Sequence, residues 1–358
     1  MKKFLFFAAS AIALFASCQK TEINYQNGPQ EIALFAVNKT VTKAPVEGNV
    51  FLNADNMDVV AYISEGDGVA TGGSVFFDET AFIYSGDGTT KKWTGGRYWP
   101  MSDATLNFLA VTNTGGGVAG KVANAFTVST SAQSVVSTLT ANNVTDQTDL
   151  MFAAAQGSHV AGGAYTDVQM TFKHALAWVN FEVATGNFKT VDGVNTVTDA
   201  DPKITVNSIT LNDARVNGVL TVDNPNFAAT DASPVTENLD ANWSAVATGE
   251  TADMKLVKSK ITTTDEVESY LLTPEYTNFG GNGILVVPSA AKSFTINYTV
   301  RQLDGTENTF NYTHDFTAVS WAMSTKYTYQ VKLTLTEITI TPLVDPWTPA
   351  AATEVPLG

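Results

Sequence analysis

This sequence predicts an all-β protein built from β-sandwiches, and three observations carry that prediction. Many short runs of β-forming residues alternate apolar with polar, turn residues separate them, and no amphipathic stretch of helical length intervenes. Apolar residues make up 44% of the 358, and charged residues only 15%, which suits a chain with a real core rather than a disordered one. A chain of that length is a prior for two such domains.

The N-terminus comes first in order. Lys2 and Lys3 precede a mainly apolar run over 4–16, the charged start and hydrophobic stretch of a secretory signal. The run is shorter than the roughly 20 residues that cross a bilayer. It ends Phe15-Ala16-Ser17-Cys18, small residues leading into the chain's one cysteine, which is the pattern of a bacterial lipoprotein signal. Residues 1–17 are therefore expected to be removed and Cys18 to carry acyl chains such as palmitate, anchoring the protein in a membrane.

Next, Ile32-Ala33-Leu34-Phe35-Ala36-Val37-Asn38-Lys39-Thr40-Val41 is rich in β-formers and long enough for one strand. Thr42-Lys43-Ala44-Pro45 follows without a tight hairpin turn. Pro45 donates no ladder hydrogen bond and biases Ala44 toward extended backbone. An extended Lys43-Ala44 bond suits a protease that cuts after Lys or Arg, with Lys39-Thr40 a weaker alternative.

Val59-Val60-Ala61-Tyr62-Ile63, Ser74-Val75-Phe76-Phe77 and Ala81-Phe82-Ile83-Tyr84 are further strand-like runs, punctuated by Gly66-Asp67-Gly68, Gly72-Gly73 and Gly86-Asp87-Gly88. Those tracts favour turns over calcium loops, which need several spaced oxygen donors and a closing carboxylate. Residues 105–111 form the next run. Residues 168–183 alternate on both flanks, and His174-Ala175-Leu176-Ala177 makes a crossing between two strands. The stretch 185–202, full of Gly, Asn, Asp and Thr, reads as a connection, so the expected division is 44–186 and 187–358. Runs at 204–211, 218–222, 268–272, 284–288, 293–300, 308–312, 327–335 and 338–340 continue the pattern, with Asp304-Gly305 a two-residue hairpin signal.

Charge and chemistry exclude several classes. A net charge of -15 argues against nucleic acid, whose binding rests on phosphate neutralisation. With Cys18 taken by lipid, no thiol remains for a disulfide, a metal thiolate or a nucleophile. His159, His174 and His314 stand apart, each without a second metal-type ligand at short spacing, and no nucleophile elbow, phosphate loop or dinucleotide fingerprint occurs. The expectation is no enzyme and no cofactor or metal, with His174 structural. Trp93, Tyr98 and Trp99 could stack on sugars, although such residues more often fill a core.

Four tracts in order resemble a known family. They are Arg97-Tyr98-Trp99-Pro100 with Leu106-Asn107-Phe108; Asp149-Leu150-Met151-Phe152-Ala153 with Phe172-Lys173-His174-Ala175-Leu176; Gly283-Ile284-Leu285-Val286-Val287-Pro288; and Lys326-Tyr327-Thr328-Tyr329. Together with the lipoprotein start, they make the chain similar to the fimbrillins, or type V pilins, of Gram-negative gut and oral anaerobes. Gln19-Lys20-Thr21-Glu22 partly resembles the tag that sends lipoproteins of such bacteria to the outer face of the outer membrane.

The resemblance implies two transthyretin-like, Ig-like Greek-key sandwiches in tandem, and a subunit of a surface fimbrium serving adhesion or biofilm formation. It further implies a lipidated propeptide, 18–43, removed by a trypsin-like protease at Lys43-Ala44 together with a first strand holding Ile32, Leu34, Phe35, Val37 and Val41. The vacated groove is then filled by a strand from another fimbrial subunit (donor-strand exchange). Candidate donor residues are Ile338, Ile340, Val344, Trp347, Val355 and Leu357, in a tail interrupted by Pro342, Pro346, Pro349 and Pro356. Alternatives within this frame are a non-polymerising anchor or tip subunit, or a surface lipoprotein with a glycan or protein ligand.

Overall fold

The computed structural model describes residues 29–36, 56–65, 74–85, 92–112, 122–128, 133–140, 142–144, 146–161, 165, 167–224, 239–246, 249–257, 270–281, 283–290, 292–316 and 319–347. Among these residues there are 24 strands and no helix.

Side-chain alternation assigns the layers. In Met57–Glu65, Met57, Val59 and Ala61 enter one core while Val60 and Tyr62 enter another. Ala104–Thr112 splits the same way, Leu106, Phe108 and Ala110 against Leu109 and Val111, as does Met151–His159. Strands apolar on both faces belong in a middle layer, because either face left in water would forfeit its burial.

These three strands lie in an eight-stranded sheet of order Lys173–His174, Met151–His159, Ala104–Thr112, Met57–Glu65, Ser74–Tyr84, Lys92–Tyr98, Glu31–Ala36, Val168–Met170. Ser74–Tyr84, expected as two runs, is one strand. Its first part pairs with Met57–Glu65 across two register slips, and its last residues, Ile83 and Tyr84, pair with Lys92–Tyr98. Such slips increase local bend and twist, and the sheet folds back on itself. Ile32, Leu34, Trp93, Val168 and Met170 thereby meet Phe108, Ala153 and Phe172 in a single core. The other face is covered by Asp240–Ser244, Gly218–Asn224, Gln133–Leu139 and Val122–Val128.

A third core lies between two five-stranded sheets. One runs Thr277–Asn278, Ala177–Thr185, Thr325–Leu333, Ile338–Pro346, with Ile284–Val286 also on Ala177–Thr185. The other runs Thr251–Val257, Lys203–Arg215, Ser293–Arg301, Glu307–Asp315, with Tyr270–Leu271 also on Lys203–Arg215. Phe181 and Phe294 pack edge to face across the gap at 5.0 Å. Sheets cross the 186/187 position in both directions. Ala177–Thr185 pairs in parallel with Thr325–Leu333, and Gly218–Asn224 pairs with Gln133–Leu139.

Candidate functional site: the first strand, its groove and the last strand

Glu31–Ala36 is inserted between two strands that it holds apart. On one side it runs antiparallel to Lys92–Tyr98, with Glu31 opposite Tyr98, Leu34 opposite Trp93 and Phe35 opposite Lys92. On the other it runs parallel to Val168–Met170, with Leu34 opposite Val168 and Ala36 opposite Met170. Its alternation aims Ile32 and Leu34 inward, both with 0% of their surface exposed, and leaves Phe35 half-buried. Burial of each inward side chain contributes about 1.5–3 kcal/mol.

The strand's entry is held by polar contacts. The Trp99 amide donates to the Gln30 carbonyl at 3.0 Å, and the Gly96 amide donates to Glu31 Oε1 at 3.0 Å. Gly96 adopts φ +65°, a left-handed conformation that L side chains rarely take, and this turns its N–H toward the carboxylate. Below the groove, Gly157 allows close approach, since a Cβ there would meet Val168 at 2.7 Å and Trp99 at 2.8 Å. Removing the strand would bare backbone groups on both flanking strands and expose Trp93, Val168 and Met170.

Of the residues expected in the removed strand, Ile32, Leu34 and Phe35 are placed in this way. Val37, Val41, Lys43, Ala44 and Cys18 lie outside the described residues, as do Val355 and Leu357.

Of the remaining donor candidates, Ile338, Ile340 and Val344 lie in the last strand. Ile338–Pro346 runs antiparallel to Thr325–Leu333 along its whole length, at the edge of its sheet. It tolerates Pro342 and Pro346 because an edge strand needs only one side of its ladder. Ile338 and Ile340 pack half-buried on the third core, whereas Leu343 and Val344 are 40% and 59% exposed. Beyond them Trp347 turns inward and is 4% exposed.

Trp347 closes a buried cluster where the cores meet. Its ring stacks on His174 with centroids 3.5 Å apart and planes at 9°, and leans on Trp178 at 5.5 Å. His174 Nδ1 lies 3.1 Å from Asp149 Oδ1, both side chains fully buried. Ser324 ties the cluster to the last strand: its Oγ donates to the His174 carbonyl at 2.7 Å, and its carbonyl accepts from the Trp347 amide at 2.8 Å. Lys326 Nζ lies 4.1 Å above the Trp178 ring. Nearby, the Gln147 side chain bonds both Gly283 and Leu285 backbone groups, at 2.9 and 2.5 Å.

Asp149 is the partner that sequence spacing missed for His174. The two are 25 residues apart, and only the crossing at 173–177 brings them together. Each also lies in a tract quoted above for the family resemblance.

The aromatic trio behaves differently from a sugar platform. Trp93 is fully buried and Trp99 nearly so, with Trp99 edge-on to Phe108 at 6.1 Å; of the three, Tyr98 alone is exposed. Among the described residues, no three His, Cys, Asp or Glu side chains gather as metal ligands.

The fimbrillin-like family profile matches residues 42–347. Among solved structures, a fimbrial protein from Bacteroides vulgatus ATCC 8482 is similar at 16% identity and TM-score 0.57, covering 89% of this chain and 100% of its own. A candidate cell adhesion protein from Bacteroides uniformis ATCC 8492 matches at 17% identity and TM-score 0.44, covering 90% and 99%. No curated protein matches the chain. With most of its length matched by that profile, from residue 42 to the buried Trp347, the chain belongs to the fimbrillin-like family.

Proposed function

We propose that this chain is a structural subunit of a surface fimbrium, exported as a lipoprotein through Cys18, cut at Lys43-Ala44 and polymerised by strand exchange. Family membership supports the fimbrial role and cell-surface location. The observation that carries the finer reading is the placement of Glu31–Ala36. It fills a two-sided slot with two fully buried side chains, and its own chain continues on one side toward Cys18 and on the other toward Lys43. Removal of that strand leaves a template for another, with main-chain bonds supplying affinity and alternate pockets supplying register.

The donor is the segment after Trp347. Releasing Ile338 and Ile340 would break the whole ladder to Thr325–Leu333 and uncover part of the third core. Val355 and Leu357, by contrast, repeat the two-residue spacing of Ile32 and Leu34. Trp347 then serves as the fixed point from which the donor leaves, and Ile338, Ile340 and Val344 remain with their own subunit. Exposed apolar residues, Met101 at 72% and Val194 at 62%, are available for head-to-tail contacts of the kind that build open filaments.

The test is direct. Purified lipoprotein treated with a Lys/Arg-specific protease yields a product that starts at Ala44 and forms ladders resistant to mild detergent. A trimmed product that stays monomeric at high concentration overturns stalk assembly. Mass spectrometry of the N-terminus on cells separates the roles: a free Ala44 marks a stalk subunit, and a retained acylated Cys18 marks an anchor.

A further inference from the structure

The outward face of the sheet formed by Thr251–Val257, Lys203–Arg215, Ser293–Arg301 and Glu307–Asp315 carries a polar cleft of about 340 Å³. That is near the lower end of the ~300–1,000 Å³ typical of small-ligand sites. Asn207, Thr210, Lys255, Asn297 and Asn311 are among its lining residues.

A bulge shapes it. The register between Lys203–Arg215 and Ser293–Arg301 slips between Val206 and Ser208, so Val206 faces Tyr298 and Ser208 faces Asn297, leaving Asn207 as the extra residue. Bulges re-aim side chains and recur beside binding sites. Val206 and Ile209 on either side still reach the third core, so the slip leaves the inward face intact.

The side chains form a one-way relay. Asn207 Nδ2 donates to Asn297 Oδ1 at 2.7 Å and to Thr299 Oγ1 at 2.9 Å, and Asn297 Nδ2 donates to Asn311 Oδ1 at 2.7 Å. A side-chain amide has two donors and one acceptor oxygen. The relay therefore uses both Asn207 donors and leaves the Asn207 oxygen at one end and the Asn311 NH₂ at the other. Among the described residues these groups have no protein partner, and the Lys255 ammonium makes no ion pair or hydrogen bond. Asp253, two residues along the same strand, is engaged by the Asp213 amide at 3.0 Å. Val257, opposite Ser208, adds an exposed apolar surface beside the cleft.

We propose that this cleft binds a sugar unit bearing a carboxylate. The ammonium of Lys255 takes the carboxylate, the held amides and Thr210 take ring hydroxyls, and Val257 takes the C–H face. None of the lining residues is acidic, which disfavours a metal and leaves the ligand's carboxylate unopposed within the cleft. The assignment does not depend on strand exchange, since no lining residue belongs to Glu31–Ala36 or its two flanking strands. If subunits polymerise, each copy repeats the cleft along the fibre, and weak single contacts add through avidity.

Calorimetry on the full, uncut chain with a galacturonic acid trisaccharide tests it, with galactose trisaccharide as the neutral probe. The acidic sugar is expected to bind, more weakly as salt rises. Lys255→Met and Asn311→Ala, both at exposed positions, are each expected to weaken it about tenfold, in line with a lost charge-assisted or amide hydrogen bond, while the melting temperature holds. Absence of binding at millimolar sugar, equal binding of the neutral probe, or variants that bind like the parent would each overturn the assignment.

Discussion

The first and last described strands are opposites in how they are held. Glu31–Ala36 is short, paired on both sides and aims two side chains into a core with nothing exposed. Ile338–Pro346 is longer and paired along its whole length, but only on one side, and beyond Pro342 its side chains face water. The difference shows that ladder length is a poor guide to what a strand contributes. Backbone hydrogen bonds net only about 0.5–1.5 kcal/mol each after exchange with water, whereas removing a buried side chain leaves both the lost transfer energy and a cavity. The inserted strand is structural filling, and the edge strand is a strap fastened at its far end by Trp347.

One substitution placed in both strands should break this contrast if it is wrong. Leu34→Asp buries an unpaired charge and is expected to cost more than about 4 kcal/mol, read as loss of a cooperative melting transition. Leu343→Asp should stay within about 0.5 kcal/mol by urea unfolding. A comparable loss at both sites would mean that the last strand is as integral as the first.

Next in size is the fastening. Trp347→Ala should cost about 3–5 kcal/mol, the usual loss for a buried tryptophan. If its unfolding midpoint matches that of Leu343→Ala, Trp347 does not hold the strap.

The strand beneath the strap offers a pH readout. Burial pushes Tyr329 up to about 12, although the Trp321 indole N–H donating to its hydroxyl at 3.1 Å pulls the other way. A raised pKa stabilises the fold while the phenol stays protonated. That contribution is full below pH 10 and is lost as pH climbs from 10 to about 12, about 2–3 kcal/mol in all. Tyr329→Phe should flatten the stability curve over that window; an unchanged slope would place the alkaline sensitivity elsewhere.

The smallest effect sharpens the entry of the first strand. Gly96→Ala meets no neighbour within 4 Å, so only its positive φ resists, at about 1 kcal/mol. Thermal shift should detect it, and a neutral result would show that the backbone at Gly96 relaxes without disturbing Glu31.

Much of the fold was legible. Alternation located Lys203–Arg215, Ser293–Arg301 and Thr325–Leu333 within a few residues of their ends. Ala175-Leu176 does mark a crossing, from Lys173–His174 in one sheet to Ala177–Thr185 in another. Gln133–Leu139 and Asp240–Ser244 are not legible in this way, because Ser, Thr, Asn and Asp occupy about half of their length and blur the apolar signal. Trp93 and Trp99 show the converse. Clustered aromatics suit a core more often than a sugar platform, and the folding back of the eight-stranded sheet puts Trp93 and Trp99 in one.

By itself, then, the sequence determined the β character, the division of its alternating strands into two faces, and a first strand carrying Ile32 and Leu34 on one side, because a period of two is a local property of the chain. Tertiary structure alone decided which strands meet: that Val168 lies beside Leu34, that Asp149 reaches His174 under Trp347, and that Gly218–Asn224 joins Gln133–Leu139. Hydrogen-bond partners in a sheet come from far along the chain, and any strand with a free edge can pair with many others. The choice among them belongs to the packing of whole cores, which no single stretch of residues encodes.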